Sequence, residues 1–415
     1  MAAGVDSLLR YFWISQLPMV ARDLRIAIGA LAMLLILIGV WAAFRQYTRP
    51  TVRAPTSSLG LEQALDGRTA KPVVRSSSPP EVSDLWARPP ADVAARNSRR
   101  AGFAWILRQL GATEMQLDRL ADGDFAGLVT ELKQKAQGGD ADSINMLGEI
   151  ALQNCRLGRD DQTLEEYGAA QIAEAQVLPP KDANWFATAM REDIAFYKRV
   201  NATCKQVIDQ DEILSWVTAR GTQGDEASLW LQFRAADNLT EMQQRLRDAA
   251  AAGFPQAQFE LAGAIIAGQQ GAAGTGSAKV SVGDLLRQSQ DQLANSEQQL
   301  AICEYSGCNG VIVDVDAAIQ HAREAAQAGA ISAMLAMGPH LPAGQVNPDE
   351  VVAWSLIDAS LQQQGCTGNG LSAQSMKSIL STLNANNITP QSRALAEQYW
   401  SEYGLQIKAN LGCGT

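Results

Sequence analysis

The sequence has little of the chemistry on which most catalytic and metal sites depend. Its 415 residues include two histidines, His321 and His340, and we find no second ligand at metal-site spacing from either. A Gly-x-Ser-x-Gly elbow is absent, as is a Ser-x-x-Lys motif with its supporting motifs. The sequence therefore predicts no catalytic residue, no cofactor and no metal ion, and a protein that is not an enzyme.

A phosphate-binding loop is missing as well. The run GQQGAAGTGS, residues 268–277, is rich in glycine, but Ser277 stands where a phosphate loop has its lysine. No apolar strand leads into the run. We predict a flexible insertion between helices here.

Positive charge is scarce beyond residue 100. Residues 1–100 contain thirteen Lys or Arg and seven Asp or Glu, a balance of +6, whereas the whole chain carries −10. The remainder therefore carries −16, and an acidic surface repels phosphate backbones. The sequence predicts no nucleic-acid partner, while its basic N-terminal part suits anionic lipid headgroups.

One long uncharged run is present. Ile26 to Phe44 is nineteen residues long, with arginines on both sides. As a helix it would span about 28 Å, close to the ~30 Å hydrocarbon core of a bilayer. A buried core helix and a cleaved signal peptide are the alternatives, but the apolar part of a signal is usually about 7–15 residues. We predict a transmembrane anchor at residues 25–45, after a short cytoplasmic segment, residues 1–24, that forms an interfacial helix or a disordered stub.

Cysteine placement, rather than positive charge, orients the anchor. Three arginines precede the run and three closely follow it, so the positive-inside count is equal. All six cysteines follow the run, an even number that can pair fully in an oxidising compartment. We predict a single-pass inner-membrane protein with a cytoplasmic N-terminus and a periplasmic C-terminal domain. Six free thiols in a cytosolic chain are the alternative.

Two further segments follow the anchor. Residues 46–100 are rich in Pro, Ser and Arg and lack sustained apolar periodicity, which predicts a disordered linker. From residue 101 onward the apolar residues take helical spacing, as in Phe103, Ile106, Leu107 and Leu110. Runs of alternating β-branched residues are nearly absent. We therefore predict an all-α domain over residues 101–415.

One spacing of small residues occurs three times in this domain. Ala is followed by Gly three residues later, a small residue four later, Leu or Met four later, and Gly or Ala next. Gly suits the turn that ends one helix, and small residues four apart let a neighbouring helix approach closely. The pattern predicts helical hairpins stacked as repeats. Its instances are Ala136, Gly139, Ser143, Leu147 and Gly148; Ala250, Gly253, Ala257, Leu261 and Ala262; and Ala326, Gly329, Ala333, Met337 and Gly338.

Part of the domain resembles Sel-one-like repeats, the helical hairpins related to tetratricopeptide repeats. AAAAGFPQAQFELAGAIIAG (249–268) and AAQAGAISAMLAMG (325–338) are similar to the first helix of that hairpin. NPDEVVAWSLIDASLQQQG (347–365), with Trp354, is similar to the second. The resemblance implies a helical-hairpin solenoid whose concave groove binds proteins or peptides, and it implies no catalytic residue. We expect exposed members of Trp185, Trp216, Trp230 and Trp354 in that groove.

The six cysteines are candidates for three disulfides. Fifteen full pairings exist, and we prefer the sequential one: Cys155 with Cys204, Cys303 with Cys308, and Cys366 with Cys413. The spacing of Cys303 and Cys308 also suits half of a zinc site. Since no second half lies near in sequence, a small disulfide loop is the preferred interpretation.

Two functional hypotheses remain. The first is a membrane-tethered periplasmic protein-binding or scaffold protein that uses the groove of its helical repeats. The alternative is an envelope enzyme or enzyme regulator that acts on peptidoglycan or another cell-wall polymer. A pair of carboxylates deep in the groove would favour the alternative.

Overall fold

The computed structural model describes residues 85–156, 161–268, 281–308, 310–341, 344–366, 372–385 and 387–413. The chain divides into two compact units, Met1–Arg75 and Ser76–Thr415, and every described residue belongs to the second. The predicted cytoplasmic segment, the predicted anchor and most of the predicted linker lie outside the described residues. Among the helices described, none is long and apolar enough to cross a membrane.

The described part of the chain contains seventeen α-helices and no β-strand, which confirms the all-α fold class. A π-helical turn, Ile150–Arg156, continues α4, and short 3-10 turns follow α5 and α14. The helices are α1 Ala91–Leu107, α2 Glu114–Asp122, α3 Phe125–Gln137, α4 Ala141–Glu149, α5 Asp161–Glu174, α6 Pro180–Val207, α7 Gln210–Gly221, α8 Glu226–Ala235, α9 Leu239–Ala252, α10 Pro255–Ile266, α11 Val282–Ser289, α12 Ala294–Ser306, α13 Val315–Gln327, α14 Ser332–Met337, α15 Pro348–Gln363, α16 Ala373–Leu383 and α17 Pro390–Leu411.

Local sequence explains where many of these helices begin. A side chain just before the first turn accepts a hydrogen bond from a backbone N–H that has no partner inside the helix. Thr113 does this for α2 and, with Gln116, forms a complete capping box. The same role falls to Asp140, Asp209, Asp225, Asn238, Ser281, Asp314, Asn347, Ser372 and Thr389.

The glycines of the repeated spacing lie in the turns between paired helices. Gly139, Gly253 and Gly329 follow α3, α9 and α13 with φ of +88°, +104° and +101°, a conformation that favours glycine. Gly148 and Gly338 are instead sites of close approach, since a Cβ there would come within 2.8 Å of Val217 and 2.5 Å of Val351. Trp354, of the segment 347–365, is buried in the core, and so are the remaining members of the spacing: Ala136, Ser143, Leu147, Ala250, Ala257, Leu261, Ala262, Ala326, Ala333 and Met337.

Three groups of buried apolar side chains hold the helices together. The largest runs from α1 to α12 around Trp230 and Phe254. A second surrounds Trp354 and Trp400 and joins α12 through α17. The third, around Phe186, includes side chains of α1, α6, α15 and α16, so it connects the early helices of the unit with the late ones.

The ordered domain begins before residue 100. The predicted C-terminal boundary of the linker, residue 100, was therefore wrong. Residues 91–100 form most of α1, and the Leu85 side chain is 1% exposed. The Trp86 indole N–H donates to Glu397 at 3.1 Å, and Arg393 lies over its ring. In the described part of this segment Arg88 pairs with Asp182 and Arg99 with Asp193, and composition does not reveal partners so far away in sequence.

Helix α1 also joins the two ends of the described unit. Arg100 Nη1 donates to the carbonyl of Gly412 at 2.6 Å, and Asn97 Nδ2 donates to the carbonyl of Gln364 at 3.0 Å. In a simple repeat array each repeat contacts only its neighbours. Here α1 adds contacts between residues about 270 to 310 positions apart in the chain, beyond the predicted stacking of hairpins.

Candidate functional site

An exposed apolar loop, residues 310–314, leads into α13. Its side chains Ile312 and Val313 are 82% and 56% exposed, whereas Val311 packs against the core. The loop is held at both ends, because the Val311 N–H donates to the Cys308 carbonyl at 2.7 Å and the Asp314 N–H donates to the Glu304 carbonyl at 2.9 Å. Among the exposed large apolar side chains of the described residues these two are adjacent in the chain, which makes the loop a candidate surface for contact with a partner.

The cysteines pair in the predicted sequential order, and all six are paired. The Cα atoms lie 5.4 Å apart in Cys155–Cys204, 4.8 Å in Cys303–Cys308 and 5.3 Å in Cys366–Cys413. Cys303–Cys308 closes the turn that leads from α12 into the apolar loop. The zinc half-site considered for this pair is therefore excluded in favour of a small disulfide loop.

One histidine lies among three carboxylates between α12 and α13. His321 Nδ1 is 2.6 Å from Glu304 Oε2, and His321 Nε2 is 3.6 Å from Glu297 Oε1. Glu324, one turn beyond His321 on α13, completes the group. Burial is the main cause that raises the pKa of Glu297 to about 7; the nearby Glu324 and Glu304 contribute to this shift and His321 opposes it. We call these four residues the His321 cluster.

The His321 cluster was not predicted from the sequence, although part of its signal is present there. Glu324 follows His321 by three residues, which places both on one face of a helix. Glu297 and Glu304 are seven apart and therefore also share a face, on the preceding helix. The spacing within each helix could have been found, but the pairing of α12 with α13 decides that the two faces meet.

Two further carboxylates lie near Trp230: Glu149 is buried and Glu260 is half-buried. Glu149, at the end of α4, is 1% exposed, and neither of its oxygens has a hydrogen-bond partner among the described residues. Arg234 approaches it to 3.8 Å and lies over the Trp230 ring. Burial raises the pKa of Glu149, and Glu260 adds to the effect while Arg234 opposes it. Because Glu149 is shielded from water, its carboxylate is placed for packing rather than for contact with a polymer.

The buried Glu149 carboxyl should make stability depend on pH. Its pKa in the folded chain is raised above 4.5, so the folded state binds more protons than the unfolded state above that pH. We expect the free energy of unfolding to fall as the pH rises from 4.5, and Glu149→Gln to reduce that fall. Urea unfolding at pH 5 and pH 8 measures both slopes. Glu174→Gln, a change at an exposed position, is the control. Its free energy of unfolding should depend on pH in the same way as that of the unaltered chain.

No protein-family model and no curated protein sequence matches the chain. Solved structures do. A protective antigen of uropathogenic Escherichia coli strains that displays an SLR fold is 16% identical, with a TM-score of 0.37, over 71% of this chain and 70% of that one. A Sel1 repeat protein from Oxalobacter formigenes is 17% identical, with a TM-score of 0.34, over 80% of this chain and 98% of that one. Both are Sel1-repeat proteins.

This is the family that the repeated spacing of small residues and the segment 347–365 resemble. At these identities and TM-scores the likeness concerns the helical fold, and it says nothing about a ligand or partner of this chain. The candidate sites rest on the geometry of the chain itself.

Two of the four candidate groove tryptophans are core residues. Trp230 and Trp354 are 0% and 1% exposed, so neither is among the exposed members expected in the groove. Trp216 is half-buried against the largest core group, and Trp185 is half-buried with its indole N–H donating to the Pro89 carbonyl at 2.9 Å. In a repeat built from small residues, large aromatic rings fill the space between helices and leave little surface for contact with a partner.

A cavity of about 240 Å³ lies between α15 and α16. Its lining includes no carboxylate, histidine, lysine, arginine or cysteine. The polar groups that it offers are hydroxyls and one amide, which favour binding over acid–base chemistry. The lining residues are Val352, Ser355, Leu356, Ser381, Thr382, Ala385, Asn387 and Ile388.

Proposed function

We propose that the chain is a membrane-tethered envelope protein whose helical domain lies in the periplasm and holds a protein partner. The apolar loop carries the partner-binding part of this proposal. Ile312 and Val313 expose 82% and 56% of their surface, and they are fixed by a disulfide turn on one side and a helix cap on the other. A preformed apolar surface binds at low entropic cost, because little of it must be ordered on association.

The cysteines and the N-terminal segment support the location. Three disulfides with no free thiol among the six cysteines suit an oxidising compartment, and disulfides are rare in cytosolic proteins. The nineteen uncharged residues from Ile26 to Phe44 are long enough for an anchor. The alternative role, on a cell-wall polymer, is less well supported because Glu149, one of the two carboxylates near Trp230, is 1% exposed.

Photo-crosslinking in intact cells tests partner binding. A photoreactive amino acid replaces Ile312 in the full-length chain, and mass spectrometry identifies what is attached after irradiation. We expect one defined protein, and we expect Val313→Asp, which puts a charge into the apolar surface, to lower its yield several-fold. A photoreactive residue in place of Leu239, 55% exposed on α9, is the matched control and should not capture the same protein. Recovery of glycan alone would contradict the protein-partner proposal.

Fusion of alkaline phosphatase after Thr415 tests the location. The enzyme folds only in an oxidising compartment, so we expect activity from the full chain and none when residues 26–44 are deleted. Activity from neither fusion, with both proteins present in equal amount, would place the domain in the cytoplasm and refute the proposed location.

A further inference from the structure

We propose that Glu297, His321 and Glu324 form a binding site for a divalent transition-metal ion, with Zn²⁺ as the ion that best fits. Each residue offers one ligand atom, and these atoms all lie within 4.8 Å of one another. One imidazole nitrogen and two carboxylate oxygens form a ligand set that borderline ions such as Zn²⁺ accept. Three protein ligands leave a fourth tetrahedral position for water or for a group brought by another molecule.

The distance between two of the ligands favours an ion between them. His321 Nε2 and Glu297 Oε1 lie 3.6 Å apart, which is longer than an N–H···O hydrogen bond. Two ligands held about 2.0–2.1 Å from a tetrahedral ion are separated by roughly 3.3 Å. The pair is therefore spaced as an edge of a metal site and needs to close by only a few tenths of an ångström.

Glu297 provides a second and independent argument. Its side chain is on α12, the residue is 8% exposed, and Oε1 has no hydrogen-bond partner among the described residues. A buried polar atom without a partner is costly, and native structures generally supply one. This oxygen faces His321 Nε2, so an ion at the proposed position gives it the missing partner.

Glu304 prepares His321 to act as a ligand. Its carboxylate lies 2.6 Å from Nδ1, and the residue is 6% exposed, so Glu304 is placed to accept a hydrogen bond from Nδ1–H; in that tautomer the lone pair is on Nε2. Metal-binding histidines commonly donate their other ring N–H to a carboxylate in this way. Glu304 is thus a positioning residue, and it does not itself face the ion.

The surroundings keep the negative charge of the cluster available. Arg323, the neighbouring cation on α13, is paired with Glu350 at 2.8 Å rather than with the cluster. Cys303–Cys308 and the hydrogen bond from the Asp314 N–H to the Glu304 carbonyl fix α12 against α13. Glu324 is the exposed member, and its carboxylate oxygen lies within 4.8 Å of both other ligand atoms.

Titration of the full-length, disulfide-oxidised and metal-stripped protein with zinc chloride tests the site. Isothermal titration calorimetry should give one bound ion per chain. His321→Gln should weaken binding by more than about 100-fold, beyond the range seen when only an outer-shell partner is lost. His340→Gln changes the one other histidine and should bind zinc as the unaltered chain does.

Glu304→Gln separates positioning from ligation. It should weaken zinc binding roughly 10-fold or more and still bind one ion, and cobalt in its site should keep the visible bands of four-coordinate geometry because all three ligands remain. Glu324→Gln, at an exposed position, provides a ligand variant that folds even if His321→Gln does not. The proposal is overturned if the unaltered chain shows no saturable site, or if His340→Gln weakens binding as much as His321→Gln.

Discussion

Gly365→Ala should lower the free energy of unfolding by about 3–5 kcal/mol, because two costs coincide at this position. Gly365 follows α15 with φ of +78°, where a Cβ costs about 1–2 kcal/mol. That Cβ would also lie 2.0 Å from the carbonyl oxygen of Ala94, a backbone atom of α1 that no side-chain rotation can move away. The helix must shift off the turn, and its buried contacts weaken with it. Urea unfolding followed by helical circular dichroism measures the loss.

Gly224→Ala is the matched control for this change. Gly224 has φ of +87° between α7 and α8, and a Cβ there meets no atom within 4 Å. It should therefore cost only the backbone term of about 1–2 kcal/mol. Equal losses from the two variants would mean that α1 does not pack against the turn at Gly365.

The helices could be predicted from sequence because their signals are local. Apolar residues such as Phe103 and Leu107 recur at helical spacing, side chains such as Asp225 and Asn238 cap the first turns, and Gly253 and Gly329 end helices in the left-handed region. Each signal acts over a few residues and needs no knowledge of the rest of the chain.

The start of the ordered domain could not be predicted in the same way. Helix α1 is polar along much of its length, and its arginines are neutralised by residues on other helices. Arg99 pairs with Asp193 at 2.8 Å, 94 positions away, and Arg100 donates to Gly412, 312 positions away. Composition indicated a solvated linker, whereas partners at this separation turn the same residues into buried ones.

The His321 cluster could not be predicted from the sequence for a related reason. Its two halves, Glu297 with Glu304 and His321 with Glu324, each form an ordinary helical face that solvent could cover. Their chemistry arises only when α12 and α13 pair with these faces inward. The exposure of Trp354 could not be predicted from the sequence either, because packing between helices buries its ring against Tyr399.

Replacing both Cys366 and Cys413 by alanine should destabilise the chain by about 4 kcal/mol, since the closed loop is long. The two cysteines are 47 positions apart, and both are buried. Cys303 and Cys308 are 5 positions apart. The same loop-entropy argument gives about 2 kcal/mol for their replacement. Urea unfolding of both double variants, compared with the disulfide-oxidised unaltered chain, tests whether loop length sets the order.

The Cys366–Cys413 bridge should also affect α1 specifically. Gly365 and Gly412, each next to one of its cysteines, are the two turns against which α1 packs: a Cβ on Gly365 would strike Ala94, and one on Gly412 would approach Ala104 to 2.2 Å. Loss of the bridge frees both turns at once, so trypsin should gain access to the buried Arg100.

Cys155 and Cys204 give the control for that effect. They are 49 positions apart, so their loss should cost about the same 4 kcal/mol. Their bridge joins the end of the π-helical turn to α6, and a double alanine variant should leave α1 in place. We expect early tryptic cleavage within α1 for the Cys366/Cys413 variant and not for the Cys155/Cys204 variant at equal overall stability. Equal early cleavage within α1 in both variants would show that α1 responds to global stability rather than to the two turns that this one bridge holds together.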